Sequence, residues 1–147
     1  MAIKVNVERE QITVPKEILL FCKKIVANAL NYLQVDNVVV TLIMTNDEAI
    51  AQINKTYRKK KGPTDVISFA YREAPMPQGA TKEHLGDIFI SMETAQRQAS
   101  EYEVTLKEEL KRLLVHGVLH LVGYDHEQSA YKKRIMQKKE DEIMGKI

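Results

Sequence analysis

The segment that most constrains this fold is a helical stretch, Leu106 to Val122, which from Leu113 onward is apolar apart from Gly117 and two histidines four residues apart. Thr105 and Glu108 make a capping box at its start, and Leu106, Leu110, Leu113 and Leu114 lead into His116. Gly123 stops it. A helix that is apolar around most of its circumference is stable only when neighbours bury it on several sides. The remainder of the chain must therefore wrap it, and the local patterns show with what.

Ile3, Val5 and Val7 alternate as in a short strand. Pro15 then opens a helix whose apolar positions are Ile18, Phe21, Cys22, Ile25, Ala29 and Leu33. Val38 to Met44 is a β-branched run that reads as a buried strand, and Thr45 with Glu48 is the expected capping box of a second helix through Ala49, Ile50 and Ile53. Asp65 to Tyr71 is strand-like, and a loop from Arg72 to His84 with Pro75, Pro77 and Gly79 precedes a strand from Leu85 to Ser91. Ser91 caps a helix through Ala95, Ala99 and Tyr102, and Ser129 starts a charged last helix through Tyr131, Ile135 and Ile143. The expectation is a single α+β (α/β-like) domain over 1–147: a small four-stranded mixed sheet covered by about five helices, with the apolar helix at the centre.

Composition excludes several classes. A chain of 147 residues buries enough surface for a core without metal or disulfide staples. Hydrophobic residues are 44% and charged residues 29%, which fits neither a disordered tail nor a membrane-embedded chain. The net charge of +2 is too small to announce a nucleic-acid partner by itself. Cys22 is the only cysteine, so a disulfide scaffold is excluded and a reducing compartment is expected. The alternating start lacks the apolar block of a secretory leader, and the expected location is the cytoplasm, with no membrane partner.

Three of the four histidines fall within eleven residues, His116-Gly117-Val118-Leu119-His120-Leu121-Val122-Gly123-Tyr124-Asp125-His126. His116 and His120 project from one helical face, one turn apart. Two imidazoles on an otherwise apolar helix are costly unless something binds them. Gly123 permits the reversal that returns His126 to the same point. Three neutral imidazoles then fill three tetrahedral positions around one zinc-class ion and leave the fourth open, as in catalytic sites. The offsets match the metzincin pattern H-E-x-x-H-x-x-G-x-x-H, but Gly117 stands where those proteases carry their general-base Glu. Peptidase chemistry is disfavoured, while metal binding is not.

The eleven residues also resemble the signature of the YbeY family, bacterial rRNA maturation factors described as metal-dependent endoribonucleases. Asn54 to Phe69 is similar to the family's upstream block, with Arg58 and Pro63-Thr64-Asp65-Val66 in place. Leu85-Gly86-Asp87-Ile88 resembles its L-G-D-I strand, and Met136 and Glu140 fit its tail. Ala70 departs from a proline often found there, and a lysine run replaces the usual Lys-Asp before Pro63. The resemblance implies zinc, one ion per chain, and single-stranded ribosomal RNA as substrate, with ribosomal small-subunit components as partners.

It also implies that Arg58 is the active-site arginine beside His116, and a guanidinium suits bidentate contact with a phosphodiester. Lys59, Lys60 and Lys61 read either as a solvated helix end or as phosphate contacts. Asp125 reads either as a turn residue or as a group that orients His126 or takes a proton from water. Asp65 and Asp87 flank strands without an assigned role. His84 is expected in solvent, Cys22 in the core, and Lys132 to Glu142 on a solvated surface. The reading is a hydrolase: a zinc-dependent endoribonuclease of rRNA maturation and ribosome quality control. A non-catalytic zinc-binding ribosome-assembly factor and a metallohydrolase of another substrate class are the rivals. Either a water or the ribose 2′-OH attacks; the sequence leaves the nucleophile and the general base open.

Overall fold

The structure, a computed structural model, describes residues 2–72 and 82–147. Its elements follow the expected order: β1 (Ile3–Arg9), α1 (Lys16–Tyr32), β2 (Val38–Thr45), α2 (Asp47–Arg58), β3 (Val66–Ala70), β4 (Glu83–Ser91), α3 (Met92–Glu101), α4 (Leu106–Leu121) and α5 (Ala130–Met144). The strands form one mixed sheet in the order β1-β2-β4-β3. β1, β2 and β4 run parallel, and β3 lies antiparallel to β4 at one edge. No described helix is long and apolar enough to cross a membrane.

The apolar helix takes the central place. Leu110, Leu113, Leu114, Val118 and Leu121 of α4 are buried with Val26 and Leu30 of α1 and with Leu42, Ile88 and Ile90 of the sheet. The capping box forms as expected, with Glu108 N–H donating to Thr105 Oγ1 at 3.1 Å and Thr105 N–H to Glu108 Oε1 at 3.2 Å. Gly86 of β4 is closely packed between the backbone of the neighbouring strand β3 and the Leu121 side chain of α4. A Cβ there would lie 2.2 Å from the carbonyl oxygen of Phe69 and 2.5 Å from Leu121 Cδ2. A register irregularity sits beside it, since Val39 pairs with His84 but Val40 with Gly86.

Four local expectations shift. α2 is capped by Asn46, whose Oδ1 accepts from Ala49 N–H at 2.9 Å, and not by Thr45. Thr45 completes β2 opposite Ser91 instead and donates its hydroxyl to the Glu10 carbonyl. In α5 the buried face is Met136, Glu140 and Ile143, one helical face at i, i+4 and i+7, while Tyr131 and Ile135 are exposed. Tyr102 is likewise exposed, at the C-terminal cap of α3. The expected loop with Pro75, Pro77 and Gly79 falls largely outside the described residues, and β4 begins at Glu83, two residues before the expected start.

Candidate metal centre

The end of α4 is built as a Schellman turn, which is why the third histidine returns to the first two. Gly123 N–H donates to the His120 carbonyl at 3.1 Å, and Tyr124 N–H to that of Leu119 at 2.9 Å. Gly123 takes a φ of +107°, a conformation costly for any residue with a Cβ. The chain reverses, and His126 arrives beside His120 and His116. His120 Nε2 lies 3.2 Å from His116 Nε2, and His126 Nδ1 lies 2.9 Å from His120 Nε2. One ligating atom from each histidine falls within 4.8 Å of the others.

The donor set suits a zinc-class ion. His116 Nδ1 donates to Glu140 Oε1 at 2.9 Å, which places the ring proton there and leaves the Nε2 lone pair facing the other imidazoles. Glu140 is buried, and its second oxygen accepts from Gln137 Nε2 at 3.2 Å. His120 is pushed down to about 4, first by burial and then by His116 and His126, so it stays neutral at ordinary pH. Neutral imidazoles are the ligating form. Three of them, with no fourth His, Cys or carboxylate joining the cluster among the described residues, leave an open coordination position.

These histidines line a cleft of about 470 Å³ whose other walls are β3, the 123–127 turn and Arg58. Arg58 is the last residue of α2. Lys59 then takes a left-handed cap, Lys60 N–H donates to the Asn54 carbonyl at 3.1 Å, and the buried Asn54 side chain donates to Gly62 O at 2.9 Å. That clasp aims Arg58 at the cleft and leaves Lys59, Lys60 and Lys61 exposed around it. Gly117, by contrast, faces the sheet. Its carbonyl accepts from Ser68 Oγ at 3.3 Å, and a Cβ would meet Ser68 Oγ and Ile88 Cγ2 at 3.1 Å. A side chain at that position would start against β3 and β4, tightly enough that Ser68 and Ile88 would have to give way.

The aspartates divide by what they bond. Asp125 lines the cleft, but its Oδ1 accepts from Glu127 N–H at 2.8 Å, the turn role. Asp65 also lines the cleft; its Oδ1 accepts from Val66 N–H at 2.7 Å and its Oδ2 from Gln98 Nε2 at 3.2 Å. Asp87 faces away from the histidine cluster, bonded to the Tyr71 hydroxyl and to His84. Burial, with Asp87 beside it, pushes the Tyr71 phenol up to about 12. His84 is half exposed and apart from the cluster, as expected. Cys22 is fully buried, and burial pushes its thiol up to about 12.

The charged run Lys132 to Glu142 predicts a solvated Glu140 and nothing in the sequence singles out Glu127, whereas the structure buries Glu140 and sets Glu127 at the cleft. Glu140 was detectable, because it shares the Met136–Ile143 face of α5. Glu127 carried no such signal, since its place depends on the turn after Gly123.

The family model described as Endoribonuclease YbeY matches residues 4–147. The chain belongs to the YbeY family. An Endoribonuclease YbeY of Persephonella marina is 42% identical over 127 residues, 86% of this chain and 82% of that one. Another YbeY protein, from Aquifex aeolicus, is 43% identical over 119 residues, 81% of this chain and 77% of that relative. The solution structure of TM1509 from Thermotoga maritima superposes with a TM-score of 0.64 over 95% of this chain and 86% of the other. At 24% identity that likeness speaks for the fold.

Proposed function

We propose that this YbeY-family chain is a zinc-dependent endoribonuclease that cuts single-stranded ribosomal RNA during small-subunit maturation and quality control in the cytoplasm. The observation that carries the reading is a three-imidazole cluster with an open position, set in a cleft whose rim holds the Arg58 guanidinium. His116, His120 and His126 would hold one ion per chain. When bound, such an ion supplies Lewis acidity toward a phosphoryl oxygen and brings a water's pKa toward about 7.

The protein's own groups do the rest. Glu140 fixes the proton of His116 on Nδ1 and so keeps the ligand nitrogen available. From the cleft wall, Arg58 would meet equatorial phosphate oxygens with a planar pair of donors, and Lys60 would add charge at the mouth. The exposed lysines attract the RNA backbone from solution. The wall position of Gly117 removes the protease base and so favours phosphodiester over peptide substrates.

The deciding experiment pairs metal analysis with cleavage of a labelled single-stranded RNA by wild type and His120→Ala from identical nuclease-free preparations. The wild type should contain about one ion and cut; the variant should do neither. Equal cleavage by both would assign the activity to a contaminant. Zinc in the wild type without cleavage would favour the assembly-factor reading.

A further inference from the structure

Among the described residues, Glu127 is the acidic group at the cleft whose carboxylate no turn or cap claims. Its amide donates to Asp125 Oδ1 at 2.8 Å, which fixes the backbone and aims the side chain across the cleft mouth. There a single oxygen, Oε1, faces three nitrogens from three places in the chain. It lies 3.4 Å from Arg58 Nη2, 3.7 Å from Lys60 Nζ and 3.8 Å from His126 Nε2. All three distances exceed the optimum for a charge-assisted hydrogen bond, so the socket is wider than one carboxylate oxygen needs. The Glu127 side chain is 55% exposed, and ion pairs of that kind are weak and readily exchanged. The other cleft-side carboxylates differ. Asp65 and Asp125 each accept from a backbone N–H, and Glu140 is engaged by the His116 ring.

We propose that Glu127 occupies the position of a substrate phosphate, and that its carboxylate sets how tightly the cleft takes RNA. An incoming phosphodiester exchanges with the carboxylate at Arg58 and Lys60, and the freed side chain swings into solvent. The inference rests on the RNA reading above. It adds a residue that tunes affinity without acting on the reacting atoms.

The test is Glu127→Gln, which keeps the shape and removes the charge. The first probe is a fluorescein-labelled single-stranded RNA, 2′-O-methylated throughout to bar 2′-OH attack, with its full length checked by gel after each titration so that any cutting by water is seen. Glu127→Gln should bind it about two- to fivefold more tightly at low salt, the change that matches an exposed ion pair. The gain should vanish in a Lys60→Ala, Arg58→Ala background, because the carboxylate then has nothing to occupy. Unchanged or weaker binding overturns the proposal. So does an equal gain in the background variant, which would mark diffuse repulsion.

The second probe is inorganic phosphate, followed through the Arg58 Nε–H resonance. Tighter phosphate binding in Glu127→Gln is expected by a similar factor, and an unaltered titration overturns the proposal. If wild type fails to bind RNA, the RNA reading falls while the phosphate titration still decides the role of Glu127. With cleavable RNA the variant should keep its kcat and lower its KM. A fall in kcat at constant KM would instead make Glu127 a group acting on the reacting atoms and sink the proposal.

Discussion

Each histidine of the centre contributes differently, and single substitutions should separate them. His116 is fixed through Glu140, His120 is held neutral by burial, and His126 depends on the turn. Replacing any one by Ala should release the ion, whereas His84→Ala, outside the cluster and paired with Asp87, should leave metal content unchanged. Glu140→Gln should keep the fold and weaken metal affinity about 10–100-fold, the usual loss when the hydrogen-bond partner of a ligand is removed. Competition against a chelator of known affinity measures it; an unaltered constant would show that Glu140 only fills space. Arg58 and Lys60 separate by kinetics. Arg58→Lys keeps the charge and loses the planar fork, so kcat should fall about 10²–10³-fold at normal zinc content. Lys60→Ala should act on KM and soften the salt dependence. Single-turnover cleavage at saturating enzyme across a salt series distinguishes the two, and a wild-type saturated rate for Arg58→Lys would reassign that arginine to binding.

Among the elements, the turn after α4 does what no single ligand can, since it brings a residue beyond the helix back to the helix face. Gly123 makes that turn possible at φ +107°. Gly123→Ala should therefore destabilise the chain by about 1–2 kcal/mol and also weaken metal binding, because relaxing the backbone moves His126. Denaturant unfolding and metal titration on the same sample check both parts; lost stability with unchanged metal affinity would mean that His126 is held by its own contacts. This turn was legible in the sequence, because a glycine after an apolar helix and a histidine three residues later are local signals. So were the nine elements of the described residues, whose periodicities are short-range. The cap of α2 was displaced by one residue because Thr45 and Asn46 are both capable caps, and strand pairing with Ser91 claims the first. The burial of Glu140 is hard to see in the sequence because charge density along α5 masks one carboxylate on its buried face. The Arg58–Glu127 contact was invisible, since 69 residues separate partners brought together only by packing.

For the whole molecule, the centre couples to stability through protons and through the ion, and the two couplings have determinable signs. His120 titrates near 4 in the folded metal-free chain and near its ordinary value of about 6.5 when unfolded. Between those values the unfolded chain binds a proton that the folded chain does not. Stability of the metal-free protein should therefore fall as pH drops from about 6.5 toward about 4 and lose this dependence below that. In His120→Ala the slope across that window should flatten. The ion acts oppositely to the proton, because it binds the neutral imidazoles of the folded state. The core itself does not need it: the Leu110–Leu121 face of α4 is buried against α1 and the sheet, away from the cleft. Chelation at neutral pH should thus leave the far-UV helical signal intact and lower only the melting temperature. With free ion at about 100 times its dissociation constant the linkage is about 2.7 kcal/mol. For a chain of this size that is about 5–11 °C. Calorimetry with and without chelator at pH 7.5 measures the shift. Loss of helical signal at room temperature would show instead that the ion holds the fold together, and the centre would then have to be read as structural rather than catalytic.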